Sequence, residues 1–214
     1  FYRPDFRMPD GRALWDVLDE AAGRGVDVRV IFWRHLGVEQ IEPRTHFPGT
    51  EAERVMLRAR RSRFLARWDQ AHGTYCQHPK SWLIDAGRES EVAFVGGINL
   101  NPGSVVPPGH PPTDAGNTHD VYVEVKGPAA SDVHHNFVQR WNEASDREQL
   151  DGSWPEGSPG DGLMFPSAAS AERGGAIVQM QRTVRRERYT DGTPAPGGRA
   201  FDIAQGELSI ADQY

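Results

Sequence analysis

The stretch His78-Pro79-Lys80-Ser81-Trp82-Leu83-Ile84-Asp85 sets an imidazole and an ammonium two residues apart, and Val95-Gly96-Gly97-Ile98-Asn99 comes after a short turn. On an extended strand, residues two apart project from the same face. His78 and Lys80 therefore point together, and so do Gly97 and Asn99 if their strand runs alongside. An imidazole, an ammonium and an amide converging on one spot suit a phosphate: a nucleophile, a fixed positive charge and a neutral donor around the equatorial oxygens. Gly96 and Gly97 let backbone approach a substrate with no Cβ in the way. Asp85 lies an odd number of residues from Lys80, so pleating aims it elsewhere and it reads as a hydrogen-bonding brace.

The elements that must position these residues follow from hydrophobic period and turn chemistry. Phe1 to Arg7 reads as the end of a strand entering a turn at Pro9-Asp10-Gly11. Leu14, Val17, Leu18, Ala21 and Ala22 recur at helical spacing and end at Gly23 and Gly25. Val26 to Trp33 is β-rich. Helix followed directly by strand is half of a βαβ unit and predicts an α/β fold, a mixed β-sheet flanked by helices. A second helix is expected over Glu51 to Trp68, its acidic residues first and its arginines later, as the helix dipole favours. The arginine cluster reads as a solvated face.

Strands are expected over His78 to Ile84 and Val92 to Val95, joined across Gly87. Asn101 to Asn117 is a Pro/Gly loop. Val121 to Val125 alternates as a strand, and Val133, Phe137, Val138 and Trp141 give a helix after Gly127-Pro128, where proline suits a helix start. Asp151 to Gly175 reads as a Gly/Pro/Ser connector, and Ile177 to Val184 as a strand. Another Gly/Pro stretch runs to Arg199, and a new helix opens near Tyr214.

Composition narrows the classes. With 214 residues, 23 Gly and 16 Pro, the chain is a loop-rich globular protein able to bury a real core. No run of about 18 apolar residues exists to span a bilayer. The net charge of −6 argues against a sequence-blind grip on nucleic acid, so no nucleic-acid partner is expected. The lone Cys76 excludes an intramolecular disulfide framework, and the spacing of His110, His119, His134 and His135 supports no zinc site. No metal or cofactor is expected. Both ends of the chain read as cut, and a cytoplasmic or peripheral-membrane setting is the expectation.

His78-x-Lys80-xxxx-Asp85 followed by Gly-Gly-x-Asn resembles the HxKxxxxD signature of the phospholipase D superfamily. His119-Asp120-Val121, Phe137-Val138-Gln139-Arg140-Trp141-Asn142 and Val178-Gln179-Met180-Gln181-Arg182-Thr183-Val184 resemble further segments of phospholipases D, in the same order. Gly206-Glu207-Leu208-Ser209-Ile210 resembles the opening of that family's second repeat. The resemblance implies a first catalytic repeat over 1–150, a connector over 151–175 and the start of an incomplete second repeat over 176–214. Two departures stand out. The turn Ala86-Gly87-Arg88-Glu89-Ser90 lengthens the motif, and no second HxK occurs in the chain.

The resemblance further implies covalent catalysis through a phosphohistidine with no metal, His78 being the nucleophile and Lys80 and Asn99 the charge stabilisers. Asp120 is the implied carboxylate orienting the imidazole, and Asp85 belongs to the motif's catalytic set. Gly96 and Gly97 are the implied substrate-binding backbone. The expected partners are a phospholipid substrate, a transient membrane surface contact, and a second HxK repeat from the same full-length chain or a dimer mate. Two other functions remain open from the residues: an endonuclease of the same superfamily active as a dimer, and a catalytically incomplete binding or scaffold fragment.

Overall fold

The computed structural model describes residues 2–34, 47, 51–70, 78–106, 109, 117–145 and 162–182. Cys76, His110, the connector before 162 and everything after 182 lie outside the described residues. The chain is mixed α/β, with two small sheets and helices. It divides into two compact units, one drawn from Phe1–Lys80, Ile98–Val121 and Ala144–Asp161, the other from Ser81–Gly97, Tyr122–Glu143 and Gly162–Tyr214.

In the first unit, α1 (Leu14–Gly23) leads into β1 (Arg29–Arg34), then α2 (Glu51–Arg60) and β2 (Leu65–Gln70). The strands β1 and β2 run parallel, with Phe32 opposite Trp68, which requires a crossover such as α2. Their core is aromatic: Tyr2, Phe6, Trp15, Phe32, Phe47, Phe64 and Trp68 are all buried. Trp68 has no exposed surface, lies 5.4 Å from the Phe32 ring and 5.1 Å from the Phe47 ring, and donates its indole N–H to the Phe47 carbonyl at 3.3 Å. Ala66 and Trp68 occupy one face of β2 and Arg67 and Asp69 the other, and all four are buried.

The start of α1 is closed by Asp16, whose carboxylate accepts the Ala13 N–H at 3.1 Å, half of a capping box. Asp19 fixes the segment between α2 and β2. It accepts the Arg63 N–H at 2.6 Å and the Ser62 hydroxyl at 3.3 Å, so α1 sets where β2 begins.

The expected helix over 51–68 ends at Arg60, and Trp68 belongs to a strand. The stop is a Schellman turn: Ser62 N–H bonds the Leu57 carbonyl at 3.1 Å and Arg61 N–H bonds the Arg58 carbonyl at 2.9 Å. Such turns put one residue in the left-handed region, normally glycine. Here that residue is Arg61, at φ 54°, and without a glycine the sequence gives no stop signal.

The second unit takes β3 (Lys80–Ile84) from Ser81 on, β4 (Val92–Gly96) and β5 (Tyr122–Lys126), a sheet in that order, and then α3 (Pro128–Ser145) up to Glu143. β4 and β5 are antiparallel, with Ala93 opposite Val125. Ala93, Val125, Ala129, Ala130 and Val133 make the buried cluster, joined by Leu83, Val95 and Met180. Proline opens α3 as expected, preceded by Gly127 at φ 83°. The strand expected from Ile177 does not form over 177–182, and Val184 lies outside the described residues. Ile177 is fully exposed, and side-chain contacts to α3 hold this stretch in place of a backbone ladder.

Replacing Arg61 by glycine should relieve the left-handed backbone and raise the unfolding free energy by about 1 kcal/mol in urea titrations. A loss of stability in Arg61→Gly would show that the Schellman turn is not strained.

Candidate active site

Proline between His78 and Lys80 is the local reason these two meet. It fixes its own φ and pushes the preceding residue out of the helical region. The backbone therefore passes through 78–80 extended, and both side chains leave on one side. The Lys80 ammonium lies 3.0 Å from His78 Nδ1, 2.8 Å from His78 Nε2 and 3.1 Å from the His78 carbonyl. Lys80 is only 9% exposed and His78 is half-buried. An ammonium can only donate, so the ring nitrogen that receives it carries no proton. Burying a cation is costly unless acceptors surround it, and the imidazole and carbonyl supply them.

Asn99 follows β4 in the first unit, half-buried, with its carbonyl accepting the Asn101 N–H at 3.0 Å. The next residue, Leu100, bridges to Tyr2, and its carbonyl takes the Arg3 N–H at 2.9 Å, so the amino-terminal stretch anchors this turn. A short 3-10 turn over Pro102–Ser104 comes next, and the Gly103 carbonyl accepts the N–H of Thr118 at 3.0 Å. That bond ties the segment after Asn99 to the one carrying His119 and Asp120. Asp120 itself is exposed, and its carboxylate accepts the Val121 N–H at 2.8 Å.

Thus His78, Lys80, Asn99 and Asp120 all belong to the first unit, and His78 and Lys80 are in direct contact. Asp85, Gly96 and Gly97 belong to the second. Asp85 is a turn residue at φ 55°; its carboxylate accepts the Ser90 hydroxyl at 2.7 Å and its carbonyl accepts the Arg88 N–H at 2.9 Å. It braces the lengthened hairpin between β3 and β4. Gly96 ends β4 opposite Tyr122, and Gly97 lies beyond the strand.

Sequence reasoning missed one polar centre in the second unit. Glu91 is buried and gathers Gly87, Ser131, His134 and Ser170. These residues are scattered through the chain with no motif spacing, and only the adjacent pair His134-His135 gives a sequence signal. His135 packs its ring 4.6 Å from Phe165, whereas His134 turns to Glu91. Among the described residues no group of three or more His, Cys, Asp or Glu side chains gathers as metal ligands. No described helix is long and apolar enough to cross a membrane.

Comparison with known proteins gives one consistent result. Phospholipase D beta 2 of Arabidopsis thaliana is 30% identical over 176 residues, covering 62% of this chain and 19% of that protein. Phospholipase D B of Dictyostelium discoideum is 28% identical over 167 residues, covering 60% of this chain and 13% of its own length. Phospholipase D beta 1 of Arabidopsis thaliana is 34% identical over 98 residues, which cover 33% of this chain and 9% of that protein. The chain therefore spans about a fifth or less of the length of the curated relatives it matches. No family model matches the sequence. No solved structure matches it either.

The brace role of Asp85 has a clear signature. Asp85→Ala should cost about 1–2 kcal/mol in urea titrations, since it keeps the left-handed backbone and loses the Ser90 bond. Asp85→Gly should cost less, because glycine accepts that backbone freely. Equal losses in the two variants would contradict the assignment.

Proposed function

Because the chain is phospholipase D-like in sequence, we propose that it carries one half of the active site of a phosphodiesterase acting on the head group of glycerophospholipids, with His78 as the nucleophile. The observation that carries this reading is the Lys80 ammonium held 2.8 Å from a ring nitrogen of His78. In the resting chain the ammonium lies against the ring, 3.0 Å and 2.8 Å from its two nitrogens. An arriving phosphodiester oxygen is a better acceptor for the ammonium than a neutral ring. Transfer of the ammonium from ring to phosphate would then do two things at once: neutralise the equatorial oxygens and expose the nitrogen for attack.

In the first step the His78 nitrogen forms a bond to phosphorus and the bond from phosphorus to the head-group oxygen breaks. The leaving oxygen takes a proton from a second acid. In the second step the oxygen of water, or of another alcohol, bonds phosphorus; the nitrogen–phosphorus bond breaks and its electron pair returns to the ring. The attacking oxygen gives its proton to the same acid, now a base. In this reading the second acid comes from a further HxK motif, carried by the full-length chain beyond the repeat over 1–150 or by a dimer mate. The phospholipid then reaches the site from a membrane surface in transient contact with the protein. Asn99 supplies a neutral donor, and Asp120 would have to turn from the Val121 amide to hold the imidazole.

A half-site can be tested alone with a substrate whose leaving group needs no acid. Incubating the chain with a diacylglycerol p-nitrophenyl phosphodiester, then quenching in alkali for peptide mass spectrometry, should find a phosphatidyl adduct on His78. It should be absent from His78→Ala and reduced about 100-fold or more in Lys80→Met, the loss expected for one transition-state donor. Modification elsewhere, or none in the wild-type chain, would contradict the reading.

A further inference from the structure

Residues 162–182 contain no helix or strand, and their sequence is rich in Gly, Ser and Ala. They nevertheless track α3 closely. Asn142 grips Leu163 twice, donating to its carbonyl at 2.9 Å and accepting its N–H at 2.7 Å. The rings of Phe165 and His135 meet at 4.6 Å, tilted by 32°, Met180 packs against the buried cluster, and Arg182 donates to Asn136 at 2.8 Å. The stretch crosses Gly127 so tightly that a Cβ there would lie 3.2 Å from the Arg173 nitrogen and 3.3 Å from the Ala171 oxygen.

The middle fastening differs in kind. Its keeper is the Glu91 carboxylate, with 1% of its side chain exposed. It accepts the Gly87 N–H at 2.9 Å, the Ser131 hydroxyl at 3.0 Å and the Ser170 hydroxyl. Ser170 also donates its N–H to the Ser131 oxygen at 2.8 Å. His134 Nδ1 lies 2.9 Å from Oε1, the oxygen that also accepts the Gly87 N–H, off the line of a good hydrogen bond but within ion-pair reach. One buried charge thus joins the hairpin, α3 and the stretch 162–182, and hydrogen bonds to a charged acceptor are the strong ones.

We propose that residues 162–182 form a latch held shut by the charge of Glu91, so that neutralising this one carboxylate frees the strap from α3 while the sheet and helix stay folded. Loss of the charge weakens all its donor bonds together, whereas Ala93, Val125, Ala130 and Val133 of the apolar cluster come from the sheet and α3 and lose only the Met180 contact when the strap leaves. Released, the strap uncovers the α3 face bearing Ser131, His135 and Asn142.

The direction with pH comes from the surroundings. Burial pushes the Glu91 carboxyl up, but the Ser170, Gly87 and Ser131 bonds and the nearby His134 together bring it below the usual glutamate range. A depressed carboxylate stabilises the docked strap fully at neutral pH and ceases to as pH falls below that range. Further charged groups on the same elements include Arg88 and Glu89 on the hairpin, Glu89 lying 3.8 Å from Arg173 of the strap, and Asp132 on α3 near Arg182. Burial raises the Asp132 carboxyl, with Arg182 opposing. Its protonation on acidification removes its attraction for Arg182 of the strap, so it acts in the same direction as Glu91 at that end.

Amide exchange of the whole chain monitored by NMR tests this, with the Ser170 N–H as reporter. In Glu91→Gln at neutral pH that amide should exchange about tenfold faster or more, with the β4 and β5 amides unchanged. Ser170→Ala, which leaves the other Glu91 bonds in place, should speed the same amide by a smaller factor. Wild-type protection should fall toward that of Glu91→Gln as pH drops below the glutamate range. Unchanged Ser170 exchange in either variant, or strap and sheet opening together, overturns the proposal.

Discussion

A buried ammonium must find acceptors, and that requirement organises the candidate site. Lys80 opens β3 with 9% of its surface exposed, and the imidazole and carbonyl of His78 lie within hydrogen-bond reach of its Nζ. The geometry holds because Pro79 keeps the chain extended between them. The extended backbone through Pro79 is thus what brings the two side chains within reach of each other. The ammonium lies directly against the imidazole, so one positive charge and one ring nucleophile sit side by side. This is the minimum for attacking a phosphorus atom while neutralising its oxygens.

The two units solve the stability problem differently. The first relies on aromatic rings packed at centroid distances of about 5 Å around Tyr2, Phe32, Phe47 and Trp68, where burial and edge-to-face contact act together. The second has a small aliphatic cluster of Ala and Val and supplements it with a buried carboxylate that takes bonds from three separate segments. A polar centre of that kind specifies one arrangement only while every member is satisfied. This makes residues 162–182 conditional on a single charge in a way that the first unit's core is not.

Local signals in the sequence were sufficient where structure is locally determined. The helix over Leu14–Gly23, the proline-started α3, the strands flanking the Gly87 turn and the extended His78-Pro79-Lys80 step all follow from period and turn chemistry. The contact of His78 with Lys80 was legible for the same reason, although β3 begins at Lys80 and not at His78 as expected. The boundary of α2 was not, because its Schellman turn uses Arg61 where glycine would have marked the stop. The stretch from Ile177 carries strand-like residues, but side chains on α3 hold it without a ladder. Glu91 was invisible because its partners lie at 87, 131, 134 and 170, joined only by folding.

In the proposed reading His78 and Lys80 act as one phosphate-recognising unit. Heteronuclear NMR of the chain titrated with dimethyl phosphate tests it most directly, observing the His78 ring nitrogens and the Lys80 ammonium. Both should respond together with one saturation curve, and Lys80→Met should abolish the His78 response. A His78 ring that ignores the diester, or responds equally without Lys80, would contradict it.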